Sequence, residues 1–243
     1  MMKKTPARVH TRYRVIGKTL VIELEGRKRV LSSAPQGGGL TVASYILNHQ
    51  VEANPVVAGK QSMPFREPGR SLRELASRMG IHTSTVGLMT AVPMTQVVTA
   101  RAASDGLWVE CFATVGVTNA IRAGEWPPGG PGGKRSTKPG TINLMLITNG
   151  SLSQSAMVGA VQVATEAKSG ALRDHYVLSC QSGVAATGTG TDAVVIACSL
   201  RGQGPVHIYS GTHTVIGALI GRVVSDCVTN GLAKAKAWRE LHQ

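Results

Sequence analysis

Aromatic residues are scarce in this chain, at 4% of 243 residues with only two Phe. A core built without them must rest on Val, Ala, Ile and Leu. Their scarcity also removes the stacking platform that a single-stranded nucleic-acid binder needs. Acidic residues are few as well, 13 against 26 Lys and Arg. The four cysteines, Cys111, Cys180, Cys198 and Cys227, stand far apart with no Cys-x-x-Cys pair. That spacing argues against a zinc knuckle or a dithiol redox motif. The longest uncharged stretch, Ile142 to Thr165, is interrupted by Asn149, Gly150, Ser151, Ser153 and Gln154, so it does not read as a membrane span. Met1 to Arg14 is basic and polar and lacks the apolar core of a signal peptide. The expectation is a soluble, cytoplasmic protein. Gly-x-Ser-x-Gly, His-Glu-x-x-His, a Walker loop and a Rossmann fingerprint are all missing.

What is present begins with charge. The formal net charge is +13. It gathers at the ends of the chain: residues 1–30 hold nine Lys and Arg against Glu23 and Glu25. From Met145 to Ser199 the only charged residues are Glu166, Lys168, Arg173, Asp174 and Asp192. A basic surface without interleaved aromatics reads as a solvated face and argues against a nucleic-acid partner.

The pattern along the chain predicts one α+β domain, a mixed and mostly antiparallel sheet covered by two long helices. "TLVIELEGRKRVLSSA" reads as a hairpin turning at Glu25-Gly26, and "APQGGGL" as a tight loop. "TVASYILNHQV" reads as a short helix. "SLRELASRMG" reads as a second, capped by Ser71 with Glu74 completing a capping box. "VGLMTAV", "TQVVTARA", "LWVECFATVGVT" and "TINLMLIT" are strands, with a Ser104-Asp105-Gly106 hairpin turn. Residues 123–140, rich in Pro and Gly, form either an active-site flap or an idle loop. The long helices are predicted at Ser153 to Arg173 and Thr214 to Trp238, with "AVVIACSL" a buried strand and "PVHIYSGTHT" another leading into the last helix. Residues 1–27 form a basic N-terminal segment with the first strands, and 28–243 the main domain.

Polar residues cluster at the ends of apolar strands: Thr118 and Asn119, Asn143, Asn149, Thr189 to Asp192, and Ser210 to His213. Such ends are where sites are commonly built. Glu166 lies on a small, polar stripe (Ser155, Gly159, Gln162, Glu166, Ser169) of an otherwise apolar helix, and a carboxylate buried there would need a partner or a purpose. Asp192 ends a glycine-threonine loop, where it either caps its own turn or faces a ligand.

Several segments together resemble the adenosylcobinamide amidohydrolase family of cobamide salvage. They are "RVLSSAPQGGGL", "VGLMTA", "TVGVTNAIRAGE", "PGTINLMLITNGSLS", "VQVATEAKSGAL", "ATGTGTDAVVIAC" and "SGTHTVIGALIGRVV", in order across roughly residues 28–230. The resemblance implies hydrolysis of the amide joining the corrin side chain to aminopropanol, giving adenosylcobyric acid. It also implies a corrinoid partner that carries its own cobalt, so no cofactor of the protein's own is expected. A non-catalytic corrinoid-binding protein is the alternative, and the oligomeric state stays open. Without a Ser–His pair, direct attack by water is favoured, with Glu166 as base and Asp192 as runner-up. Asn119 and Thr189 complete the catalytic set, the latter or Ser33 also being a candidate nucleophile. Ser33, Gly38, Gly39, Thr118, Asn143, Gly188, Gly190, Thr191, Thr212 and His213 are the expected substrate contacts.

Overall fold

The computed structural model describes residues 9–52, 56–57, 60–61, 67–126 and 140–241. Its strands are β1 (Arg12–Ile16), β2 (Thr19–Ser32), β3 (Gly39–Gln50), β4 (Val56–Val57), β5 (Lys60–Gln61), β6 (Thr85–Thr90), β7 (Val98–Ser104), β8 (Leu107–Val115), β9 (Ala120–Ile121), β10 (Ile142–Thr148), β11 (Ser151–Leu152), β12 (Gly188–Thr189), β13 (Ala193–Cys198) and β14 (Val206–His207). Its helices are α1 (Pro68–Arg78), α2 (Gln154–Asp174) and α3 (Val215–Leu241). The main sheet has eight strands in the order β6-β3-β2-β13-β10-β8-β7, with β1 paired to β2. Most pairings are antiparallel, while β10–β13 and β3–β6 are parallel. The predicted α+β class and the two covering helices are therefore as observed.

Alternation along the central strands makes two cores. Val109, Cys111 and Ala113 of β8, Leu144 and Leu146 of β10, and Val194 and Ile196 of β13 share a core with α2 and α3. The residues between them, Phe112, Met145, Ile147 and Val195, pack instead with Leu20, Ile22, Ile46 and Leu88 of β2, β3 and β6. So the β2–β3–β6 end curls back over the helix-free face. Tyr13 of β1 meets Phe112 edge-on, ring centroids 5.1 Å apart. Asn48 of β3 donates to Thr114 Oγ1 of β8 at 3.0 Å and accepts from Asn143 of β10 at 2.9 Å. Buried amides and hydroxyls are tolerated between the layers because they satisfy one another. α1 lies outside the second layer, over Val21 and Leu47.

The curl has a local cause. β2 is one 14-residue strand, not two strands of a hairpin. Gly26 takes φ +68° and the register with β3 shifts between Glu23 and Lys28, a bulge that bends the strand. β2 thus runs continuously across residues 27 and 28. "TVASYILNHQV" is strand β3 rather than a helix; Thr41, Val42, Tyr45 and Ile46 are strand formers. α1 starts four residues early, at Pro68 behind Glu67, with no side-chain cap. Ser71 lies inside it, donating to Glu67 O, and Glu74 pairs with Arg70. The Asp105-Gly106 turn is as expected, with both residues at positive φ. Ser153 caps α2 by accepting from Ala156 N. Between β13 and α3 only Val206 and His207 are extended. α3 is apolar enough in one window to cross a membrane, but half that window is buried, with Ile216, Ile220, Val223 and Val228 in the helix-side core.

Candidate active site

β10 and β13 run parallel, Asn143 beside Ala193 at their N-terminal ends. Each strand is followed by a helix that returns along the sheet. The helix N-termini therefore sit at the strands' C-terminal ends, and the last turns of α2 come back to Asp192. Here the segment 178–191 pairs through β12 with β9, Thr189 opposite Ala120. That small ladder draws "TNAIRAGE" and "ATGTGTD" together.

Asp192 is held by four donors. Lys168 Nζ lies 2.5 Å from Oδ2, and Thr189 N donates to the same oxygen at 3.0 Å. Thr189 Oγ1 donates to Oδ1 at 2.5 Å, and Ile142 N donates to it at 2.9 Å. A carboxylate offers about four lone-pair positions, and all are used. Gly188 makes the approach possible: a Cβ there would collide with Asp192 Oδ2 and stand 2.7 Å from Lys168 Nζ. Lys168 is buried, 7% exposed. Breaking so buried a pair by removing one partner typically costs about 3–5 kcal/mol.

Around this pair, Thr141 Oγ1 donates to Thr191 O at 2.7 Å and Thr191 Oγ1 to Gly140 O at 3.1 Å. Asn119 Oδ1 and Thr118 Oγ1 stand against Gly140, where a Cβ has no room. Asn119 Oδ1 is buried without a hydrogen-bond partner among the described atoms. Ser33 Oγ accepts from Val194 N at 3.1 Å, two residues beyond Asp192. Gly39 opens β3 opposite Ser32, and Gly38 lies against Ala34 O. Gly190 and Thr191 are exposed on the turn after Thr189. One end of the molecule thus gathers Ser33, Gly38, Gly39, Thr118, Asn119, Gly188, Thr189, Gly190, Thr191 and Asp192. Asn143 begins at this end too, but it is buried between the layers, donating to Asn48 Oδ1 and Met89 O, each at 2.9 Å.

Two expectations change. Glu166 is exposed, as are Ser155 and Gln162 of its stripe, while Gly159 and Ser169 are half-buried, against Ser210 and Thr187. The burial that recommended it as base is absent. Lys168, two residues on, is the residue that turns inward. Thr212 and His213 are exposed ahead of α3, at the far end of the strands from Asp192. The tight packing there serves the helices: a Cβ on Gly217 would strike the carbonyls of Ser210 and Gly211, and Thr214 caps α3 through Gly217 N at 3.0 Å. Asn149, also at that end, braces the β7–β8 turn, accepting from Trp108 N and donating to Gly106 O. Of the loop 123–140, residues 127–139 lie outside the described residues.

Sequence reasoning missed a second carboxylate. Glu125 accepts from Ser179 Oγ at 2.5 Å, from Ser182 Oγ, and from Arg122 N at 2.9 Å. The two serine hydroxyls hold its carboxyl below the usual range. Ala123 N donates to Thr187 Oγ1 at 2.9 Å, which places this loop beside β12. The signal was available in the Gly-Glu that closes "TNAIRAGE". Among the described residues no three His, Cys, Asp or Glu side chains gather closely enough to hold a metal ion.

Comparison with known proteins gives a family model described as adenosylcobinamide amidohydrolase, which matches residues 2–240. The match extends past residues 28–230 at both ends and takes in most of the basic N-terminal segment. An adenosylcobinamide amidohydrolase of Methanosarcina mazei is 32% identical over 229 residues, covering 90% of this chain and 96% of that protein. An uncharacterized protein of Methanocaldococcus jannaschii is 30% identical over 236 residues, covering 89% and 86%. An adenosylcobinamide amidohydrolase of Halobacterium salinarum is 36% identical over about half of each chain, 51% and 50%. Among solved structures, a Pyrococcus horikoshii protein aligns over 96% of this chain and 82% of its own at 11% identity and TM-score 0.47. A β-aminopeptidase of Burkholderia aligns over 94% and 87% at 12% identity and TM-score 0.42.

Proposed function

Because the chain belongs to the adenosylcobinamide amidohydrolase family, we propose that it hydrolyses the amide between a corrin side chain and aminopropanol, and that Thr189, Asp192 and Lys168 carry the reaction. The observation behind the assignment is the Thr189 hydroxyl donating at 2.5 Å to a carboxylate that a buried lysine holds in place. A nucleophile bonded to a base, and the base fixed by a third group, is the arrangement that activates a hydroxyl. Each part can then be given a task.

Asp192 takes the Thr189 proton as Oγ1 attacks the amide carbon. Lys168 offsets the carboxylate's charge and fixes its orientation. The developing oxyanion needs donors; in this reading they are the backbone N–H of Gly190, next to Thr189, and the side-chain amide of Asn119, next to Ala120 across the β9–β12 pair. The proton on Asp192 passes to the nitrogen as the C–N bond breaks, and aminopropanol leaves. Water then cleaves the ester, restoring Thr189 and releasing the corrinoid carboxylic acid. This replaces direct water attack because Asp192 has no lone pair left for a water while its four donors are in place. Exposed Glu166 takes no part.

Purified protein incubated with adenosylcobinamide should release free aminopropanol and a corrinoid with one more carboxylate, both seen by liquid chromatography and mass spectrometry. Binding without either product, across pH 6 to 9, would identify a corrinoid-binding protein instead.

A further inference from the structure

A cavity lies at the other end of the strands from Asp192. It has a volume of about 590 Å³ and is lined by His10 to Arg12, Glu23 to Gly26, Lys28, Arg101, Trp108 and Ile147. Lys28 is the unusual member. It is 8% exposed, on the inner side of the β2 bulge. Among the described residues its ammonium has a single hydrogen-bond partner, Ser199 Oγ at 3.2 Å. It belongs to none of the ion pairs there. An ammonium carries three donors, and burying a charge without a partner is costly. Burial lowers its pKa, and the field of Glu25 only partly opposes this.

The rest of the wall is built for the same chemistry. Arg101 donates to the fully buried Glu110 at 2.5 Å, and its guanidinium lies 5.0 Å over the Trp108 ring. Glu110 is further fixed by His10 N at 2.6 Å and Thr11 N at 3.0 Å. So Arg101 is held rigidly by one N–H and a ring face, leaving other N–H groups of its fork for a ligand. Glu23 and Glu25 also line the cavity, but both are exposed at its rim, where water and salt screen them.

We propose that this cavity binds a small oxyanion, a phosphate or carboxylate group, with Lys28 as the charged anchor and Arg101 as the second donor. The site is distinct from that of Asp192. Ser199 directly follows β13, whereas Asp192 directly precedes it, and six extended residues span about 20 Å. The inference does not depend on the corrinoid reading.

Thermal unfolding of the full chain, followed while inorganic phosphate or acetate is added at constant ionic strength set by chloride, tests it. A ligand that binds only the folded state raises Tm in a saturable way. Wild type should show a saturable rise of several °C with phosphate, acetate or both, and which one acts identifies the anion class. Lys28→Met keeps the alkyl stem and should weaken the apparent affinity at least ten-fold, while Thr189→Ala should leave it unchanged. Should Lys28→Met fail to fold, Lys28→Gln carries the same comparison, and the side-chain NMR shift of Lys28 on adding phosphate or acetate reads the site in wild type. No saturable shift with either anion, or equal shifts in wild type and the Lys28 variant, would mean that the cavity holds only water.

Discussion

Glu166 and Lys168 stand two residues apart on α2 and end in opposite surroundings, one in water and one against Asp192. Two helical steps turn a side chain by roughly 200°, so only one of the pair can face the sheet. The account predicts opposite outcomes for them and their partners. Glu166→Gln should keep turnover within about two-fold of wild type. Asp192→Asn should lose about 10²- to 10⁴-fold in kcat, the usual worth of a general base, with the corrinoid still bound. A Glu166→Gln protein as impaired as Asp192→Asn would return the base to α2. The inward turn of Lys168 was legible: Ala164, Lys168, Ala171 and Leu172 follow the spacing of one buried helix face. What hid it is that lysine is seldom buried unless paired, and its partner lies 24 residues away on a loop whose course no local pattern fixes.

At the scale of elements, the strands with strict alternation or full apolarity were readable, and so were both long helices. β3 was not, because "TVASYILNHQ" contains Ala, Leu and Gln that suit a helix, and its neighbours across the sheet decide the matter. β2 was split at Gly26 because a glycine at positive φ makes a bulge as readily as a turn. β9 and β12, two residues each, have no periodicity at all, yet they place Thr189. Gly188 in β12 gives a direct test of that placement. Gly188→Ala should push Lys168 and Asp192 apart, reducing kcat at least about 10²-fold while the far-UV spectrum stays native. Full activity in Gly188→Ala would show that the ion pair is not needed for turnover.

For the whole molecule, the sequence supports the class of fold but not its layering. The parallel partners β10 and β13 are separated by a helix and a long loop, and the curl of β2, β3 and β6 over β8 and β10 depends on contacts between distant segments. Glu110 joins two such segments, the β7–β8 hairpin and the chain before β1, taking the amides of His10 and Thr11 and the guanidinium of Arg101. Burial raises its pKa, but these hydrogen bonds outweigh burial and leave it lowered. A carboxylate lowered on folding stabilises the protein above its unfolded pKa, about 4.3. That stabilisation fades as pH falls through the lower folded value. Glu110→Gln should therefore cost about 3–5 kcal/mol at pH 7, and the gap to wild type, read by denaturant unfolding, should narrow as pH falls below the unfolded value. A gap that stays constant as the pH is lowered would remove Glu110 from the acid response.

The central claim is that a threonine hydroxyl, activated by a lysine-held aspartate, opens the corrinoid amide. The rate at which Thr189→Ala releases aminopropanol from saturating adenosylcobinamide tests it most directly, with Thr189→Ser as the control that restores a hydroxyl. Loss of a nucleophile in such a unit costs on the order of 10³-fold or more, so Thr189→Ala should fall at least that far and Thr189→Ser should recover part of the rate. A Thr189→Ala protein that works within ten-fold of wild type would contradict the account.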